Sequence, residues 1–200
     1  MKLRTLFIKP PDPFLQQEFT YQQLAPHYLQ AWLNQHNYAS DLMVMYVPDG
    51  DDQVRNTPLK LTDCNMILLH DNDDVIDAEF NPEVLADYDL IALSVMTPQA
   101  EYATWLTRAV RRYNPRAKVM LGGSHARYYL DEVVALNGDD AVDYVVPQDG
   151  WQPLLSMLNA GLPDRGRSHI LSHQQDLKEI VQPPTRPLSL MSRYRYDIAG

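Results

Sequence analysis

The 200-residue sequence predicts an α/β fold: a doubly wound sheet of five parallel strands with helices on both faces. Three observations carry that expectation. The strand-like runs are continuously apolar rather than alternating, as strands covered on both faces are. Segments with helical spacing alternate with them, and right-handed βαβ crossovers then give a sandwich. Several runs also stop in small, polar or proline residues. In an open α/β sheet such ends share one edge, and ligands bind along it.

Leu3–Ile8 reads as the first strand, closed by Pro10, Pro11 and Pro13, since proline cannot donate to a ladder. Pro26 suits the first position of a helix that carries Leu29, Trp32, Leu33 and His36. Leu42–Val47 is the second strand, ended by Pro48-Asp49-Gly50. Residues 50–80 are the least readable, with Met66–Leu69 as an optional extra strand. The acidic cluster Asp71-Asn72-Asp73-Asp74 fails the calcium-loop test, because the sixth and twelfth positions are Ile76 and Pro82 rather than glycine and glutamate. It reads as a solvated turn.

From Asp87 the pattern is clear. Leu90–Val95 is the third strand, and a helix from Pro98 to Tyr113 puts Ala103, Leu106, Val110 and Tyr113 on its inner stripe. Arg108, Arg111 and Arg112 fall in its last turns, where the helix dipole favours cations. Ala117–Leu121 is the fourth strand. A helix bearing Leu130, Val133, Val134 and Leu136 follows, with Asn137-Gly138 as its cap. Val142–Val146 is the fifth strand, and Trp151, Leu154, Leu155 and Leu158 mark a last amphipathic helix ending at Gly161. The expected strand order is 2-1-3-4-5, the flavodoxin-like or Rossmann-like arrangement, with the crevice between strands one and three. Residues 1–162 form this domain, and 163–200 read as a proline-rich linker with one short edge strand at Ser168–Leu171.

A net charge of −9 gives no general attraction for phosphate backbones, so nucleic acid is a poor partner. No apolar run approaches the roughly 20 residues that cross a bilayer, and the amino terminus is too short in apolar residues for a signal peptide. Cys64 is the sole cysteine, which excludes an internal disulfide and fits a reduced cytoplasmic protein. His27, His36, His70, His169 and His173 share no ligand spacing, so a protein-built metal site is not expected. The sheet edge offers no obvious nucleophile or acid–base pair, so no catalytic residue is expected either.

The strand ends discriminate among ligands. A dinucleotide needs a glycine-rich turn after strand one, but Lys9-Pro10-Pro11-Asp12-Pro13 stands there, and its prolines lack the N–H groups a pyrophosphate uses. A receiver domain needs acidic residues after strands one and three; Lys9-Pro10 and Ser94-Val95-Met96 occupy those places. What remains is Ser94-Val95-Met96-Thr97, the apolar run ending in Gly122-Gly123-Ser124-His125, and the turn Gln148-Asp149-Gly150.

In these residues the chain resembles the cobalamin-binding domain. That family carries Ser-x-Leu after its third strand and Gly-Gly after its fourth. Ser94 and Gly122-Gly123 match, and Met96 stands where leucine is usual. The resemblance implies that the serine hydrogen-bonds the dimethylbenzimidazole tail and that the glycines let the tail slide between sheet and helix. Members with Asp-x-His-x-x-Gly after strand one ligate cobalt from below. Here Asp12 is followed two residues on by Phe14, so no imidazole ligand is expected from this loop.

That departure is similar to the amino-terminal domain of cobalamin-dependent radical SAM enzymes, many of which lack the lower histidine. The likeness is closest from Asp89 to Leu158: Asp89–Ser94, Asn114-Pro115, Leu121–Ala126 and Asp143-Tyr144-Val145-Val146 follow the family's order. Pro147-Gln148-Asp149-Gly150 departs from its Gly-Glu-Gly-Glu. The resemblance implies cobalamin contacts at Pro11, Asp12, Ser94, Val95, Met96, Thr97, Gly122, Gly123, Ser124, His125, Gln148, Asp149 and Gly150. It implies a corrinoid held base-off, and a radical SAM domain in cis beyond Gly200, toward which Arg193–Gly200 leads. S-adenosylmethionine and the iron–sulfur cluster would belong to that domain, since the Cys-x-x-x-Cys-x-x-Cys motif is not in this sequence. Methyl transfer or related radical chemistry is the implied activity. A degenerate member acting as a docking or regulatory module is the alternative. A complete small enzyme for another nucleotide-like ligand is a weaker one.

Overall fold

The computed structural model describes residues 3–12, 24–48, 60–72 and 74–172. The run Thr-Leu-Phe-Ile of β1 (Arg4–Lys9) is buried on both sides and forms the centre of the sheet. It pairs in parallel with β2 (Ala39–Tyr46) on one side and β5 (Leu90–Ser94) on the other. Beyond β5, the parallel strands β6 (Lys118–Gly122) and β7 (Tyr144–Val146) continue the sheet. These are the five expected strands, and they keep the expected order.

The sheet is nonetheless eight-stranded, not five. An antiparallel hairpin, β3 (Asn65–Leu69) and β4 (Val75–Glu79), extends it beyond β2, and the two-residue β8 (His169–Ile170) pairs in parallel with β7. The optional strand at Met66–Leu69 and the edge strand at Ser168–Leu171 are thus both present. Asp71, Asn72 and Asp74 lie between β3 and β4, where the His70 amide bonds the Asp74 carbonyl at 2.9 Å. β4 escapes an apolar reading because it is an edge strand: Val-Ile-Asp-Ala-Glu is largely exposed, as polar edge strands that resist further pairing are.

Two helices, α1 (Leu24–Gln35) and α5 (Trp151–Asn159), cover one face. Trp32 and Leu33 of α1 and Leu154, Met157 and Leu158 of α5 pack there on Phe7, Leu42, Val44, Leu90, Met120 and Val146. The other face carries α2 (Ala100–Tyr113), whose Ala103, Leu106 and Val110 pack on Leu6, Ile8, Ile91, Leu93 and Val119. Tyr113, expected on that stripe, is 40% exposed. The single helix expected after the fourth strand is two short ones, α3 (Ser124–Tyr128) and α4 (Leu130–Val134). The chain leaves helical dihedrals at Tyr129, with φ −126° and ψ 38°. Within α4, Val133 is buried while the next residue, Val134, is exposed, since neighbouring helical residues point in different directions.

Buried polar groups hold the far edge together. The Asp143 carboxylate accepts from the Arg111 guanidinium and the Val119 amide, and pairs with Lys118 and Arg167. It thereby locks α2, β6 and the chain leading to β8 onto β7. No described helix is long and apolar enough to cross a membrane.

Candidate functional site

Strand register builds the site. Ser94, Gly122 and Val146 are paired neighbours at the carboxyl ends of β5, β6 and β7. Side chains alternate along a strand, so these three share the face of Ala92, Met120 and Tyr144, which is the face under α1 and α5. Gly122 therefore leaves a notch between a hydroxyl and an isopropyl group. A Cβ there would meet nothing nearer than the Val146 carbonyl at 3.7 Å.

The notch opens into a cavity of about 310 Å³. Its floor is apolar, from Phe7, Ala92, Met120 and Val146, and its walls are Leu29 of α1 with Trp151 and Leu154 of α5. Its rim is polar: Ser94, Ser124, Arg127, Gln148 and Asp149. Trp151 is fixed edge-on against Trp32 and Tyr28, with ring centroids 6.1 and 6.3 Å away. A Cβ on Gly150 would make an ordinary contact with Leu29 at 3.7 Å, so α5 starts beside α1. The size is at the lower end of the roughly 300–1,000 Å³ range of small-molecule sites, and an apolar slot with a few polar rim groups is their usual composition.

Gly123 does a different job. Its φ is +96°, and a Cβ would stand 2.6 Å from the Val95 carbonyl oxygen. Its bareness admits the protein's own backbone, at the crossing where the Val95 amide bonds the Gly122 carbonyl and the His125 amide bonds the Val95 carbonyl.

The sequence-derived residues divide accordingly. Ser94, Gly122, Gly123, Ser124, Gln148, Asp149 and Gly150 all line the cavity. Pro11, Asp12, Val95, Met96, Thr97 and His125 do not. Pro11 and Asp12 are buried at the end of β1, and Val95 is fully buried. His125, expected to be partly exposed, is 5% exposed, stacks on Tyr129 and lines a separate cavity beside α2 on the opposite face. Burial holds its imidazole below the ordinary value, with Glu132 opposing weakly.

The crevice expected between strands one and three is crossed by Gln99. Its buried side-chain amide donates to the Pro10 carbonyl at 2.9 Å and accepts from the Met96 amide at 2.9 Å. The open space consequently lies further along the edge, toward β7. Leu29, Arg127, Tyr128 and Trp151 are lining residues that the motifs miss. Leu29 and Trp151 carry the same apolar spacing as ordinary core positions, and only the two helices' convergence on one strand end makes them walls. Among the described residues no group of three or more His, Cys, Asp or Glu side chains is placed to hold a metal.

Residues 63–155 match the family model described as B12 binding domain. That span runs from β3 into α5 and contains Ser94, both glycines of the β6 end and the Gln148–Gly150 turn. No curated protein matches the chain. Two solved structures are similar. A DUF4886 family protein from Bacteroides uniformis is 12% identical, covers 60% of this chain and 49% of its own, and has a TM-score of 0.34. A secreted C11 cysteine protease from Bacteroides thetaiotaomicron is 11% identical, covers 72% of this chain and 45% of its own, and has a TM-score of 0.25. The chain spans about half the length of these two structures, and a likeness at that level carries no argument about fold or activity. The family match is of another order: residues 63–155 match the B12 binding domain along the same strand ends that build the cavity.

Proposed function

We propose that this chain binds cobalamin, with the nucleotide tail of the corrinoid inserted between the sheet and helices α1 and α5. The notch at Gly122 carries the proposal. It is a side-chain-sized gap at a strand end, it opens into an apolar slot of about 310 Å³, and it lies within the span that matches the B12 binding domain. A flat aromatic base suits the floor of Phe7, Ala92, Met120 and Val146 and the edge of Trp151. The Ser94 hydroxyl stands at the rim to accept or donate a hydrogen bond to the base. The slot is too small for a whole corrinoid, so a bound corrinoid would keep its corrin ring outside it.

The corrinoid is held base-off without a protein imidazole on cobalt. Supporting this, Phe14 stands where the ligating histidine of other members would be, and His125 lies on the far face of the sheet. When bound, the corrinoid would supply the carbon–cobalt chemistry, and this chain's residues bind and orient it. We place the domain in a cobalamin-dependent radical SAM enzyme, with the S-adenosylmethionine and iron–sulfur chemistry in a domain in cis. The order of Asp89–Ser94, Asn114-Pro115, Leu121–Ala126 and Asp143–Val146 supports that context.

The test is retention of a corrin spectrum. Wild-type protein mixed with hydroxocobalamin and desalted keeps its visible absorption, and Gly122→Phe, which fills the notch, loses it without loss of folding. Equal retention by both proteins rejects the slot. Failure of the wild type to retain any corrinoid favours a degenerate docking module, the reading that the altered Pro147–Gly150 turn supports.

A further inference from the structure

One lining residue has no part in holding an aromatic base. Arg127 lies one helical turn beyond the glycine pair, where its amide bonds the Gly123 carbonyl at 3.2 Å, and its side chain lines the mouth of the cavity. Arg4, Arg108, Arg111 and Arg167 each face a carboxylate within ion-pair distance. Arg127, like Arg112, Arg116 and Arg165, makes no ion pair among the described residues, but it alone of these lines the cavity; its guanidinium lies over the Tyr128 ring, 5.9 Å from the centroid. It is also the one cation among the residues that line this cavity. In a chain of net charge −9, a guanidinium at the mouth of an apolar slot, with no carboxylate partner among the described residues, is available to an anionic group on an occupant.

We propose that Arg127 is a specificity-determining residue for the ligand's tail. Its guanidinium binds the phosphodiester that joins a corrinoid to its nucleotide base, so the site prefers corrinoids with a complete nucleotide tail to those without one. This rests on the tail-in-slot reading above. With the base between Met120 and Trp151, the phosphodiester emerges at the rim, where Arg127 is the available cation. The planar fork presents paired N–H donors to phosphate oxygens, and stacking on Tyr128 holds the fork in place before the ligand arrives.

The experiment compares cobalamin with cobinamide, which lacks the phosphodiester and base, by titration of the full chain. Wild type binds cobalamin more tightly. Arg127→Ala weakens cobalamin about tenfold, as expected for one charge-assisted contact at a partly shielded rim, and leaves cobinamide unchanged. Arg127→Lys keeps the charge without the fork and falls between the two. Arg112→Ala, at another arginine stacked on a tyrosine but outside the cavity lining, leaves both affinities unchanged and controls for overall charge. Equal losses for the two corrinoids in Arg127→Ala, or no loss at all, overturn the inference while the slot stands. A wild type that binds neither corrinoid overturns the inference together with the reading beneath it.

Discussion

The missing side chain of Gly123 faces the backbone of Val95: a Cβ on Gly123 would lie 2.6 Å from the Val95 oxygen and 2.7 Å from its nitrogen. The adjacent Gly122 has no contact shorter than 3.7 Å at the same position. One sequence motif thus contains a glycine required by the fold and a glycine available to a ligand.

Gly123→Ala therefore destabilises the protein by roughly 3 kcal/mol or more, through a positive-φ penalty plus a backbone clash that no rotamer relieves. Gly122→Ala costs less than about 1 kcal/mol. Denaturant titration of the two variants separates the roles. Equal losses would show that the β6 end relaxes around either residue.

Trp151 and Leu29 supply a second test of the slot, because their helices close it from outside the strand ends. Trp151→Ala removes the aromatic wall while leaving the notch. Cobalamin affinity falls about tenfold, in line with losing one aromatic contact of roughly 1–1.5 kcal/mol. Unchanged affinity would put the base elsewhere along the edge.

The central strands were legible because burial on both faces forces a continuous apolar run, as at Leu90–Leu93 and Val119–Leu121. β4 was not, since Asp77 and Glu79 face water at the sheet edge. Nor was the break at Tyr129, just ahead of the apolar spacing of Leu130 to Leu136, where no proline or glycine announces the change of dihedral. The site was half legible for a related reason. Ser94, Gly122 and Gln148 announce themselves as small or polar residues at strand ends. Arg127, Leu29 and Trp151 acquire meaning only when α1, α3 and α5 meet above one strand end. His125 looked like part of the motif by adjacency, but the turn at Gly123 sends its side chain to the other face.

Gln99 closes the crevice between the β1 and β5 ends with two hydrogen bonds from a fully buried amide. Gln99→Leu keeps the volume but strands the Pro10 carbonyl and the Met96 amide. The expected loss is about 1–3 kcal/mol, the cost of unsatisfied buried polar groups. Thermal unfolding measures it, and an unaltered Tm would mean that water replaces the amide.

Asp143 is 3% exposed and meets three cations, of which Arg111 is the most shielded, its side chain 9% exposed. Asp143→Asn leaves Arg111 without its counter-charge, which costs about 3 kcal/mol by the usual penalty for breaking a buried pair. Asp143→Asn paired with Arg111→Met recovers part of the loss in a double-mutant cycle. Purely additive losses would show that the two side chains are not coupled.

The buried His125 gives the fold a pH dependence whose sign follows from its surroundings. Burial lowers its folded value below the ordinary 6.5, and Glu132 only partly offsets that. In the window between the lowered folded value and 6.5, the unfolded chain binds more protons than the folded one, so stability rises with pH there. The contribution is complete above about 6.5 and is lost as pH falls through that window. His125→Phe keeps the stack on Tyr129 and cannot titrate. Its denaturation midpoint therefore declines less than that of the wild type between neutral and mildly acidic pH. Asp140 remains ionised in both proteins across this range, since its bond with Arg108 holds its carboxyl below the usual carboxylate value. Midpoints that decline in parallel in the two proteins would assign the acid sensitivity to another group.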